Sequence, residues 1–90
     1  MNNAIERART LHEKIKTVLI QDWDPIGVQE IPGAQGEYDS YVPKIYLMLI
    51  SRKPMNDVLE YLLWLEREHM GLTVDYQRTK LIAEKLVDLE

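Results

Sequence analysis

Apolar residues recur every three or four positions along most of this chain, the spacing that lays a stripe along one side of an α-helix. Ile5, Ala8, Leu11, Ile15, Val18 and Leu19 predict a first helix over about residues 3–21, with Glu6, Arg7, Arg9, Glu13, Lys14 and Lys16 on its wet face. Tyr41, Ile45, Met48 and Leu49 predict a second over about 40–52, where Val42, Tyr46 and Ile50 widen the apolar surface and argue for a central position. Met55, Val58, Leu59, Leu62, Leu65 and Met70 mark a third over about 54–70; Leu63 and Trp64 lie off that stripe, so this helix is either buried on two sides or offers an apolar strip to a partner. Thr79, Ile82, Ala83, Leu86 and Leu89 carry a fourth over about 75–89.

The breaks between these periods have their own chemistry. Pro25 disfavours the helical conformation at Asp24, which ends the first helix near Asp22 or Trp23. Asp24 and Pro25 can then cap and open a short turn before Pro32-Gly33. Asp39 or Ser40 is a candidate cap for the second helix, with Pro43 in its first turn, where a missing N–H costs little. Pro54 separates helices two and three, Gly71 is a candidate C′ residue, and Thr73 or Asp75 can start the last helix. The tight Gly71-Leu72-Thr73 link makes the last two helices antiparallel neighbours. Strand alternation occurs only over residues 26–31, flanked by glycine and proline. The expectation is a single all-α domain, a compact bundle of about four helices with a long irregular loop, 22–39, between the first two.

Charge makes that loop distinctive. Fifteen acids face eleven bases overall, but between Lys16 and Lys44 there are five acids and no base, leaving ten acids and eleven bases elsewhere. The same segment holds Trp23, Tyr38 and Tyr41. A net charge of −4 lacks the cationic surface on which nucleic-acid affinity depends, so nucleic-acid binding is not expected. No segment approaches the ~20 apolar residues that span a bilayer, the N-terminus does not read as a signal peptide, and there is no cysteine; the expectation is a cytoplasmic protein.

The candidate chemistry is incomplete wherever it is tried. Asp22 to Gly27 resembles the opening of a calcium loop, but Ile26 and Gly33 occupy positions that need oxygen ligands. Glu66 and His69 have the Glu-x-x-His spacing of di-iron bundles, which requires a second such pair; Arg9 stands where His12 would need an acid. The glycines at 27, 33 and 36 form neither a dinucleotide fingerprint nor a phosphate loop, and Ser40 and Ser51 sit in no nucleophile elbow. No metal or other cofactor is expected. With five tyrosines, two tryptophans and no phenylalanine, every aromatic ring outside histidine has a polar edge to satisfy. Trp23, Tyr38 and Tyr41 either form a recognition patch or pin the loop to the bundle.

Three segments, Asp22-Trp-Asp-Pro-Ile-Gly27, Glu37-Tyr-Asp-Ser-Tyr-Val42 and Glu68-His-Met-Gly-Leu72, together resemble the YugE-like family, short bacterial proteins forming a domain of unknown function. The resemblance covers most of the chain from about residue 15 and implies a compact all-α bundle in a bacterial cytoplasm, with no activity and no site residues. The functional expectation is a non-enzymatic module that binds a basic protein partner through the acidic, aromatic loop, with Asp22, Trp23, Glu37, Tyr38 and Tyr41 as candidate contacts. The alternative is a metal-dependent or acid–base enzyme using the loop carboxylates. A homodimer through Leu63 and Trp64 or through the second helix is a further expectation, since a core from 90 residues is small.

Overall fold

The computed structural model describes residues 3–34 and 36–89, so position 35 of the expected loop lies outside the described residues. Among the described residues four α-helices form an all-α fold: α1 (Asn3–Val18), α2 (Val42–Ile50), α3 (Met55–Trp64) and α4 (Tyr76–Val87). Among the described residues there is no strand, so the alternation over 26–31 forms turns instead. The second half of the α1 stripe, Leu11, Ile15, Val18 and Leu19, is buried against Ile45 and Leu49 of α2, Val58, Leu59 and Leu62 of α3, and Ile82, Ala83 and Leu86 of α4. Ile5, in the first half of that stripe, is 55% exposed. The neighbours α3 and α4 pack most extensively.

Both α1 and α3 end in a widened, π-helical turn, over Leu19–Trp23 and Leu65–His69. In the first, the Asp24 N–H donates to the Leu19 carbonyl at 2.8 Å, and the chain leaves the helix at Asp24 in a left-handed conformation (φ 30°). Pro25 bars Asp24 from the right-handed helix, and aspartate tolerates the left-handed one because its carboxylate bonds locally. In the second, Met70 N–H bonds Leu65 C=O at 2.8 Å and Leu72 N–H bonds Glu66 C=O at 2.7 Å, with Gly71 at φ 68° turning the chain between them. Gly71 thus plays the terminating part its sequence position predicts.

The caps divide. Asp75 accepts from the Arg78 N–H and starts α4, as expected. Asp24 does cap a short turn, accepting from Val28 N–H at 2.7 Å and Gln29 N–H at 3.2 Å, but that 3₁₀ turn begins at Val28 rather than Pro25. Neither Asp39 nor Ser40 caps α2: both lie inside a 3₁₀ turn, Asp39–Tyr41, that runs straight into Pro43 and the α-helix with no side-chain cap. Asp39 instead pairs with Lys16 of α1 at 3.0 Å.

Candidate functional site

The segment between α1 and α2 is pinned down by its rings. Trp23 and Tyr38 have no exposed surface. The Tyr38 hydroxyl donates to Asp24 Oδ1 at 2.8 Å and accepts from the Ile26 N–H at 3.2 Å, tying two parts of the loop together. Burial pushes the Asp24 carboxyl up, but hydrogen bonds from the Tyr38 hydroxyl, from the Gln29 and Val28 backbone and from the Gln29 side chain outweigh it and hold its pKa below the ordinary value. Burial first, together with the adjacent Asp24, drives the Tyr38 pKa far above the usual tyrosine range. Two more loop acids are engaged at the surface, Asp22 with Lys85 at 2.9 Å and Asp39 with Lys16.

Beneath the loop lies a buried carboxylate. Glu66, 4% exposed, accepts from Trp23 Nε1 at 2.5 Å and from Thr79 Oγ1, which sits 3.0 Å from Oε1 and 2.9 Å from Oε2. One side chain thereby joins the end of α1, the end of α3 and the first turns of α4. The Arg78 guanidinium, one residue from Thr79, donates to the carbonyls of Asp22 (2.9 Å) and Trp23, occupying the free C=O groups at the negative end of the first helix. The Glu66–His69 spacing does not place both side chains on one face. In the wider π-helical turn Glu66 points into the core while His69 is exposed.

From the buried Trp23 a row of rings leads to the surface. Trp23 packs on Tyr38 (centroids 5.3 Å apart) and edge-on against Tyr41 (6.3 Å); Tyr41 meets His69 edge-on at 5.9 Å. His69 stacks on Trp64 at 6.0 Å, Trp64 on Tyr61 at 6.5 Å, and the Lys44 ammonium lies 4.9 Å from the Tyr61 centroid. These separations fall in the range in which ring pairs attract. Trp64 is 51% exposed. Burial and then the Glu37 carboxylate raise the Tyr41 pKa.

Of the five candidate contacts, then, Glu37 and Tyr41 border an exposed surface, Asp22 is half-buried in an ion pair, and Trp23 and Tyr38 are interior. His69 and Glu66 take parts the sequence reading did not give them. Among the described residues no group of three or more His, Asp or Glu is arranged to hold a metal ion, and no helix is long and apolar enough to cross a membrane. A groove of about 670 Å³ beside the first turns of α1, Tyr46, Ile50 and Leu89 is the larger hollow, but the buried carboxylate lines a smaller cleft of about 180 Å³ between α3 and α4. Compared with family models, curated proteins and solved structures, the chain matches none.

Proposed function

We propose that this protein is a non-enzymatic interaction module that holds a basic protein partner on the aromatic strip centred on Trp64. The observation that carries this reading is the half-exposed Trp64 ring set between Tyr61 and His69, with the exposed carboxylates Glu60 and Glu68 four residues to either side. Tryptophan at the centre of an aromatic surface is the typical anchor of a protein interface. An arginine or lysine of the partner gains from lying over such a ring, and the flanking carboxylates steer it there. Of the loop contacts named from sequence, Tyr41 joins this surface through His69. Under this reading the protein works in a bacterial cytoplasm, among the YugE-like proteins it resembles.

The test is a titration of the ¹⁵N-labelled protein with an arginine-rich peptide and, as control, an acidic one. The basic peptide is expected to move the Trp64 indole resonance saturably, and Trp64→Ala to remove the response without loss of helical circular dichroism. Movement by neither peptide, or by both alike, would overturn the reading. Sedimentation of the free protein separates self-association through the same strip from capture of a different partner.

A further inference from the structure

His69 closes the π-helical turn at the end of α3 and stands exposed between two rings. It stacks on Trp64 at 6.0 Å, with 21° between the planes, and meets Tyr41 edge-on at 5.9 Å. Further along the same row Tyr61 stacks on Trp64 at 6.5 Å, and the Lys44 ammonium lies 4.9 Å from the Tyr61 centroid. Trp64 thus has a fixed cation beyond one neighbour and, as its other neighbour, the side-chain type whose charge ordinarily changes between pH 5 and 8. The charged groups around His69 come from three elements. Its own turn brings the exposed Arg67 and Glu68, while Glu66 is turned inward to Trp23 and Thr79. The segment between α1 and α2 brings Tyr41, on which the Glu37 carboxylate acts, and α2 brings Lys44 by way of Tyr61. Among the described residues none of these carboxylates is ion-paired with His69, so a proton taken up there adds a charge that no direct contact cancels.

We infer that His69 gates the aromatic strip by protonation: the strip holds a basic partner while the imidazole is neutral and releases it once the imidazolium forms. This rests on the partner reading above and adds its regulation. An imidazolium stacked on Trp64 takes up the attraction of that ring for a cation, and it sets a like charge beside the partner's arginine or lysine. Glutamates ordinarily titrate about two units below histidine, so over this range the change in charge is the imidazole's. By reciprocity the partner must lower the pH at which His69 takes its proton.

The experiment titrates the ¹⁵N-labelled full chain with a histidine-free, arginine-rich peptide at pH 7.5 and 5.5, reading affinity from the Trp64 indole resonance. The His69 ring resonances are followed from pH 8 to 5 with and without saturating peptide. Affinity is expected to fall about tenfold at the lower pH, as when about a tenth of the molecules keep the binding-competent form. Saturating peptide is expected to move the His69 titration to lower pH. His69→Gln, whatever its affinity at pH 7.5, is expected to bind equally at both pH values. His12→Gln, altered where His12 of α1 packs on Tyr46 of α2, is expected to keep the fall. Affinity undiminished at pH 5.5, a fall of the same size in His69→Gln, or a His69 titration that the peptide does not move overturns the gating and leaves the partner reading standing. Absence of binding at pH 7.5 overturns both.

Discussion

Trp23 and Glu66 stand 43 positions apart in the chain and meet at 2.5 Å, indole N–H to carboxylate, both withdrawn from solvent. The contact makes the connection between α1 and α2 part of the core, since Tyr38 and Tyr41 pack in turn on the Trp23 ring. It also fixes two helix ends at once. Each partner lies in a π-helical turn, and the third member, Thr79, brings in α4.

Removal of the Glu66 carboxyl strands two donors. In Glu66→Ala the Trp23 N–H and Thr79 O–H lose their acceptor in a dry interior, an expected cost of roughly 2–5 kcal/mol. Domains of 90 residues have roughly 5–13 kcal/mol in total, so the midpoint of urea unfolding should fall by a large fraction. Glu66→Gln keeps an acceptor and should lose far less. Equal losses for the two variants would show that the hydrogen bonds do not hold the helices together.

Asp24 gives the fold an acid-sensitive point. Its pKa is lowered in the folded state, so its contribution is present in full above the ordinary aspartate value and disappears as pH falls through the lowered one. Asp24→Asn keeps a residue type that accepts φ 30° while removing the charge. The parent is expected to lose stability more steeply than this variant when unfolding is measured from pH 6 down through the acid range. Parallel profiles would remove Asp24 as the cause.

The helices were legible because each has an apolar period and a chemical stop: Pro25 ends the first, Gly71 the third, and Asp75 caps the last. Asp39 misled because a cap and an ion-pair partner are the same residue type, and only the fold brings Lys16 to 3.0 Å. The burial of Trp23 and Tyr38 was not legible, since a loop has no period from which an inward face can be read. Glu66 did leave a signal. It falls in step with Leu59 and Leu62 on the apolar stripe of α3, and a carboxylate in that register is a buried carboxylate awaiting partners. Whether Leu63 and Trp64 face inward or outward was left open by their place off the stripe, and the fold divides them, with Leu63 buried and Trp64 half-exposed.

Gly71 should resist substitution for backbone reasons alone. A Cβ there meets nothing within 4 Å, but φ 68° is left-handed and disfavours an L side chain. Gly71→Ala is therefore expected to cost about 1–2 kcal/mol, and Gly71→Asn less. A loss of that size lowers the melting temperature of a domain this small by roughly 4–16 °C, well within reach of calorimetry. An alanine variant as stable as the parent would mean that the turn after α3 relaxes to another conformation.

The two tryptophans provide the last test, because the fold treats them oppositely. Trp23 has no exposed surface and Trp64 is half-exposed. Acrylamide should therefore quench one component of the fluorescence readily and leave the other protected. Trp64→Tyr should remove the accessible component while changing stability by no more than about 0.5 kcal/mol, as surface substitutions do. Trp23→Phe should remove the protected component and destabilise, since Glu66 loses its indole donor and the Tyr38 and Tyr41 rings lose their neighbour. Two equally accessible tryptophans would mean that the segment between α1 and α2 is not anchored in the core. That outcome would move Trp23 and Tyr38 back among the candidate surface contacts and take the floor from beneath the aromatic strip.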